Sequence, residues 1–437
     1  MKSKLKELFL AGIERVKPQN LFDNCLSLNN NLLMIKNSHD EKKVFDLNLF
    51  ENIFIIGAGK ASAEMASVIE KIFGEYNLTG SVLTKYGFTS PTGKINILEA
   101  GHPVPDENGI NGAQKIIEVL NSATEKDLII NLLSGGASSL LVSPVDEISL
   151  EDKRKISDLM INCGADITEI NTVRKKFSNV KGGKLLNYAY PATVISFIIS
   201  DVAGDNLEFI GSGPTVNDTS TYKDAYKIIS KYELIDNLPS NAVKYLEDRL
   251  NGMGPKSESN ADIFKKTHNI LLGNNKLALE AVKEKALQAG LMPQIVNYNL
   301  TGDVHFAAEE ILYDIEKNIN EKKCNCLIYG GETTVNVKGN GKGGRNQEFA
   351  LILAEKIKDK NNVYFLSGGT DGNDGNTEAA GAIADGATIQ RAKNKKLDYQ
   401  KYLFNNDSYS FFKELDDLII TGPTKSNVMD IQIVLID

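Results

Sequence analysis

An α/β fold in two domains is what the sequence predicts, and three observations carry that prediction. Short apolar runs recur along the chain, among them Ile53-Phe54-Ile55-Ile56, Leu128–Leu133 and Val194–Ile199, each strand-length and rich in β-branched or bulky aliphatic residues. Several run straight into glycine-containing loops and then into helical patterns, the order that builds parallel sheets. Finally, 437 residues exceed one ordinary domain, and the polar stretch 251–260, NGMGPKSESN, reads as a linker between domains at 1–250 and 261–437.

Taken in order, Met1 to Val16 sets Leu5, Leu8, Phe9 and Ile13 at helical spacing among basic residues, an amphipathic helix with too short an apolar run for a signal segment. The strand at 53–56 leads into Gly57-Ala58-Gly59-Lys60, after which Ala61, Met65, Val68, Ile69 and Ile72 mark the inner face of a helix. This loop lacks the spacing of a Walker motif and the third glycine of a dinucleotide fingerprint. A lysine at a helix start is opposed by the helix dipole unless an anion lies between them, so Lys60 reads equally as an anion ligand or as a solvated side chain. Gly101–Asp106 is a proline-stiffened turn in which His102 reads as bonded to backbone. The strand Asp127–Leu133 ends in Ser134-Gly135-Gly136, whose N–H and hydroxyl groups suit phosphate oxygens. The basic runs Arg174-Lys175-Lys176 and Lys181–Lys184 read as solvated faces. Asp201, just after the strand Val194–Ile199, stands where an acid holds magnesium, and it also suits a turn cap.

Beyond the linker, strands are expected at Ile270–Leu272 and Gln294–Tyr298, with a helix starting near Val304. Tyr329 to Ala350 is the most informative stretch. A strand ends in Gly330-Gly331-Glu332; Gly339, Gly341, Gly343 and Gly344 follow with Lys342 and Arg345; Phe349, Ile352 and Leu353 then recur at helical spacing. Converging backbone N–H groups, a helix start and a guanidinium together predict an anion site. Val363–Leu366 is another strand, ending in an acidic glycine loop where Asp371 and Asp374 suit a metal, a substrate hydroxyl or turns. A calcium loop is excluded because Ala382 stands where its closing glutamate belongs. Strands near 418–420 and 431–436 close the chain. Loops at 57–60, 134–139, 200–205, 330–345 and 367–375 thus all follow strands, and in open α/β sheets ligands bind at the carboxyl ends of strands.

A net charge of -8 and a pI near 5.3 exclude nucleic acid as a standing partner. Cys25, Cys163, Cys324 and Cys326 form no disulfide framework, and His39, His102, His268 and His305 are too scattered for zinc. The expectation is a cytoplasmic chain with reduced thiols and no membrane segment.

In the blocks Gly57–Ala61, Gly101–Pro105, Leu133–Gly136, Val180–Gly183, Ser200–Val202, Gly211–Thr215, Gly330–Thr334, Gly343–Glu348, Thr370–Gly372 and Asp407–Tyr409, the chain resembles the MOFRL-family glycerate kinases, over nearly its whole length. The resemblance implies a Rossmann-like N-terminal domain (DUF4147-like, 1–250), a smaller mixed α/β C-terminal domain (MOFRL-like, 261–437) and an active site in the cleft between them. It also implies ATP with Mg2+, and D-glycerate as the acceptor that becomes 2-phosphoglycerate. Lys60 and Arg345 carry over as the cleft cations. With the residue reading, Asp201 is the candidate magnesium ligand or base, and Ser134, Gly135, Gly136, Glu332, Gly343, Gly344 and Asp371 are candidate substrate- and phosphate-binding groups. The same residues admit two alternatives, an NAD(P)H-dependent hydroxypyruvate reductase and a non-catalytic sensor of sugar acids or nucleotides. The partners expected are the small-molecule substrates, with a homodimer left open.

Overall fold

The computed structural model describes residues 1–36, 41–253 and 261–437, so the expected linker lies outside the described residues from 254 onward. The chain divides into two compact units, one formed by Phe22–Leu272 and the other by Met1–Leu21 with Gly273–Asp437. This differs from division at 251–260 in two ways. The first 21 residues belong with the C-terminal portion, and the changeover falls at the end of a strand, Thr267–Gly273.

The unit 22–272 opens with a three-stranded antiparallel sheet, β1 (Leu26–Asn29), β2 (Leu32–Lys36) and β3 (Lys42–Asp46). Asn30 and Asn31 join β1 to β2, both at positive φ, the conformation that a two-residue hairpin turn requires and that asparagine tolerates. The main sheet contains β4 (Asn52–Ala58), β5 (Leu78–Lys85), β6 (Ile95–Ala100), β7 (Asp127–Leu133), β8 (Thr193–Ile199) and β9 (Thr267–Gly273), in the order β6-β5-β4-β7-β8-β9. The pairings from β6 through β8 are parallel. β4, β7 and β8 are buried along almost their whole length, which is why they are continuous apolar runs and not alternating ones. A separate helical layer, Leu150–Asn162, Ile167–Lys176, Tyr222–Lys231 and Ser240–Leu250, has its own core around Ile156, Met160, Val173, Ile229 and Leu246. Three of these helices start on complete capping boxes, Ser149/Asp152, Asp166/Glu169 and Thr221/Asp224, so their starts are fixed locally.

The second unit is built on β10 (Pro293–Asp303), β11 (Cys326–Thr334), β12 (Val363–Gly369), β13 (Gly381–Asp385), β14 (Leu418–Ile419) and β15 (Asp430–Ile436), in the order β10-β11-β15-β12-β13-β14. Only β10 and β11 pair in parallel; the remaining pairings are antiparallel, which makes this a mixed sheet. The last strand is therefore central, and its first residue, Asp430, lies between Gly331 and Gly369. The expected opening helix is present as Lys2–Arg15, with Leu5, Leu8, Phe9, Gly12 and Ile13 buried. Among the described residues no helix is long and apolar enough to cross a membrane.

Candidate active site

In the unit 22–272 the chain builds outward from β4 to β5 and β6, then returns to lay β7, β8 and β9 on the other side. The switch point is between β4 and β7, and the loops Gly57–Lys60 and Ser134–Gly136 leave those two strands side by side. They are tied together: Ser134 N donates to the Ala58 carbonyl at 3.1 Å and Lys60 N to the Gly135 carbonyl at 2.8 Å. Gly59 sits at φ +141, where a Cβ would fall 2.1 Å from Ser134 Oγ, so a side chain there would force the loops apart.

This geometry changes the role read for Ser134. Its hydroxyl accepts from Ala61 N at 3.0 Å, lies 3.0 Å from Ser62 Oγ, and is fully buried. Ser134 therefore holds the Lys60 loop and does not face a ligand. Gly135 is buried as well, while Gly136 is partly open, in the left-handed region at φ +85. A Cβ on Gly136 would lie 2.9 Å from the His102 ring and 3.4 Å from Lys60 Cγ. Lys60 and His102 thus meet over Gly136. Sequence reasoning set His102 aside as a backbone-bonded turn residue, and no local signal announces this meeting. Asp201 is half-buried two residues beyond β8, the neighbour of β7. Among the described residues no three acids, histidines or cysteines cluster as a metal site. Magnesium in phosphoryl transfer keeps several waters and needs only one or two carboxylates besides phosphates, so Asp201 fits that mode and no richer one.

In the second unit the predicted anion site exists, but the protein fills it. The helix Arg345–Lys356 starts at Gly344, and the N–H groups of Asn346 and Gln347 donate to the Asp374 carboxylate at 3.1 and 2.8 Å. Gln347 Nε2 adds a third donor at 3.0 Å. A Cβ on Gly344 would lie 2.4 Å from Asp374, and one on Gly343 2.3 Å from Ser408 Oγ. These glycines allow close packing inside the protein. Burial, with Asp430 adding to it, pushes the Asp374 carboxyl up to about 6, against the pull of the Gln347 and Asn346 N–H groups and Arg345.

Arg345 is likewise engaged and is no bare cation. It grips Asp430 bidentately, Nε to Oδ2 at 2.6 Å and Nη2 to Oδ1 at 2.9 Å, and reaches Glu332 through Nη1 at 2.9 Å. Burial works against its charge, but Asp430 first, then Glu332 and Asp374, hold the guanidinium protonated more firmly than usual. Glu332, expected from the sequence to bind substrate, is here an arginine partner with an exposed side chain. Asp371 is half-buried in the neighbouring loop and accepts from Asn373 N at 3.1 Å. Asp430, which sequence reasoning missed, anchors the group with no exposure; it is the first residue of an apolar strand, and its pairing with Arg345 spans 85 residues.

The chain matches DUF4147, described as a domain of unknown function, over residues 4–247, and the MOFRL family over residues 325–430. It is 40% identical over 405 residues to the glycerate 2-kinase of Pyrococcus horikoshii, covering 91% of each chain. It is also 40% identical over 388 residues to a putative hydroxypyruvate reductase of Agrobacterium vitis, covering 87% of this chain and 86% of that one. The crystal structure of a glycerate kinase from Thermotoga maritima matches with a TM-score of 0.84 and 35% identity, covering 100% of this chain and 99% of that one.

Proposed function

Since this chain belongs to the glycerate kinase family that joins DUF4147 and MOFRL regions, we propose that it transfers the terminal phosphoryl group of ATP to the 2-hydroxyl of D-glycerate, giving 2-phosphoglycerate and ADP. The likeness to a glycerate 2-kinase over nine-tenths of the chain carries this reading. The glycerate oxygen bonds to phosphorus as the bond to the ADP oxygen breaks, and the hydroxyl proton leaves to a base. Asp201 is the base we assign, or else the carboxylate that holds magnesium. The metal, when bound with the nucleotide, supplies neutralisation of phosphate charge.

Positioning and electrostatics dominate a loose, charge-rich transition state of this kind. In this reading Lys60, held over Gly136 beside His102, neutralises phosphoryl oxygens. Arg345 contributes as a fixed donor: Asp430 and Glu332 take Nε and one hydrogen of each terminal nitrogen, which leaves a second hydrogen on each for a substrate carboxylate or phosphate. Such an arginine is already oriented before substrate arrives, so little rotamer entropy remains to be lost.

The test is incubation of the purified protein with D-glycerate and Mg-ATP, with the product read by an enolase-coupled assay lacking phosphoglycerate mutase. Formation of 3-phosphoglycerate alone would overturn the regiochemistry. No phosphorylated product from any small hydroxy acid would remove the kinase reading and leave a sensor. The name carried by the Agrobacterium relative favours a second reading, hydroxypyruvate reduction. Against it, the Gly57–Lys60 loop is closed onto Ser134 and lacks the third glycine that lets a pyrophosphate approach. Oxidation of NADH by hydroxypyruvate in the presence of the protein would reverse that preference.

A further inference from the structure

The basic runs that read as solvated in the sequence are largely buried, and two of their cations are satisfied within the helical layer itself. Lys175 and Lys176 are 3% and 5% exposed and pair with Asp218 at 3.4 and 2.7 Å. Arg154, half-buried on the helix Leu150–Asn162, reaches out of that layer instead. Its Nε and Nη2 both donate to the Pro105 carbonyl, at 2.8 and 2.5 Å, across 49 residues of sequence.

That carbonyl belongs to the turn Gly101–Asp106, which leaves the edge strand β6. The strand β7, whose loop carries Gly136, is three places away in the order β6-β5-β4-β7, about 14 Å at ordinary strand spacing. The turn nevertheless brings His102 to Gly136: the point that a Cβ on Gly136 would occupy is 2.9 Å from both Cδ2 and Nε2 of His102 and 3.4 Å from Lys60 Cγ. It therefore leans across the carboxyl ends of β5 and β4. Pro103 and Val104 are exposed, so solvent lies on the outer side of the turn and gives it no support. Its two ends are held locally. A Cβ on Gly101 would lie 3.1 Å from the Asp106 carboxylate, and that carboxylate accepts from Gly109 N at 3.0 Å, at the start of the helix Glu107–Asn121, and from the Tyr86 hydroxyl at 2.6 Å. Between those ends Arg154 braces the turn. The ring it holds in place packs on Gly136 beside the Lys60 stem, and a lysine is a point charge on a flexible stem, useful only where that stem is confined.

We propose that Arg154 is a positioning residue for the phosphoryl-transfer site: through the Pro105 carbonyl it holds the turn that sets His102 against Gly136 beside Lys60. Its effect on rate rests on the kinase reading, whereas its effect on the His102 ring rests on this geometry alone. Two donors of one planar guanidinium converging on a single carbonyl fix direction as well as distance, which an ammonium does not.

The experiment uses the full chain. It compares wild type with Arg154→Met, which removes the donors, Arg154→Lys, which keeps a charge on a shorter reach, and Lys155→Met, a control at the exposed neighbour on the same helix. With D-glycerate and Mg-ATP, Arg154→Met should lower kcat at least about tenfold, Arg154→Lys should recover part of that loss, and Lys155→Met should match wild type. In a His102→Ala background, adding Arg154→Met should cost less than about twofold, because the group it positions is gone. A full tenfold loss in that background as well makes Arg154 merely structural and overturns the proposal. The chain has four histidines, so in histidine-labelled protein the His102 ring signals are assigned by their absence from His102→Ala. These signals should shift in Arg154→Met and stay in place in Lys155→Met, a readout that needs no turnover. Should Arg154→Met not fold, Arg154→Lys carries both comparisons. If wild type proves inactive while the His102 signals shift, the kinase reading falls and the positioning of His102 stands; if the signals do not shift, the positioning falls whatever the activity.

Discussion

Arg345 shows how a residue singled out by its sequence can have partners that the sequence does not suggest. The glycine-rich loop marks it as a cation waiting for an anion, yet its partners Asp430 and Glu332 are already in place. Two consequences separate. Arg345→Ala should lower kcat by at least about a hundredfold if the arginine serves the transferring group. It should also cost about 3 kcal/mol of stability, because it strands Asp430 as a fully buried, unpaired carboxylate. Normal turnover would make Arg345 purely structural, and an unchanged melting temperature would deny the Asp430 argument. Lys60 gives the cleaner kinetic test: Lys60→Ala should lose far more kcat than Lys60→Arg, since charge at that position is what matters, and equal activity in all three proteins would return Lys60 to a solvated side chain. Asp374 yields a pH prediction. Its folded carboxyl titrates near 6 against about 3.9 unfolded, so the folded state binds the proton more tightly between those values. Its contribution to stability therefore rises as pH falls from about 6 to 4, by up to about 3 kcal/mol, and is absent above that window. Denaturant unfolding of wild type and Asp374→Asn across that range checks this, and parallel pH profiles would refute it.

At the scale of elements, the loop Ser134–Ser139 should tolerate almost nothing at Gly136. A Cβ there meets the His102 ring at 2.9 Å in a left-handed backbone, so Gly136→Ala should cut kcat at least about tenfold, with folded secondary structure retained by circular dichroism. A variant of full activity would show that Lys60 and His102 need not hold their places. The elements carrying these loops were legible because β4, β7, β8, β11 and β12 are buried apolar runs whose identity is local. The small sheet β1–β3 was not read, although Asn30-Asn31 between alternating runs is a hairpin signal; the half-exposed strands lack a strong apolar pattern. What the donors at the start of the helix Arg345–Lys356 would bind was illegible for a different reason. The acceptor, Asp374, is 28 residues beyond Asn346, and no spacing rule connects them. The buried lysines 175 and 176 were misread on the same account, since Asp218 lies more than 40 residues further on. Sequence showed where polar groups gather; which of them satisfy one another is a tertiary fact.

For the whole molecule, the chain enters the second unit, leaves it after Leu21, builds the other unit, and re-enters at Gly273. That unit therefore depends on a helix remote in sequence. Leu5, Leu8, Phe9, Ile13 and Val16 are all within 3% of complete burial, and Phe9 packs so closely on β12 that a Cβ at Gly368 would lie 2.6 Å from its ring. Polar ties reinforce this: Lys2 pairs with Asp417 at 2.6 Å and Asp385 at 3.0 Å, and Ser426 Oγ donates to the Val16 carbonyl at 2.7 Å. At roughly 1.5–3 kcal/mol for each buried side chain, the helix contributes on the order of 10 kcal/mol as an upper estimate, comparable to the entire stability of a domain. A fragment beginning at Gly273 should consequently fail to protect the amides of β11, β12 and β15 from hydrogen exchange, and adding a peptide of residues 1–21 should restore protection. The same fragment protected to the full-length level without the peptide would show that the sheet is stable alone and that this helix is an accessory.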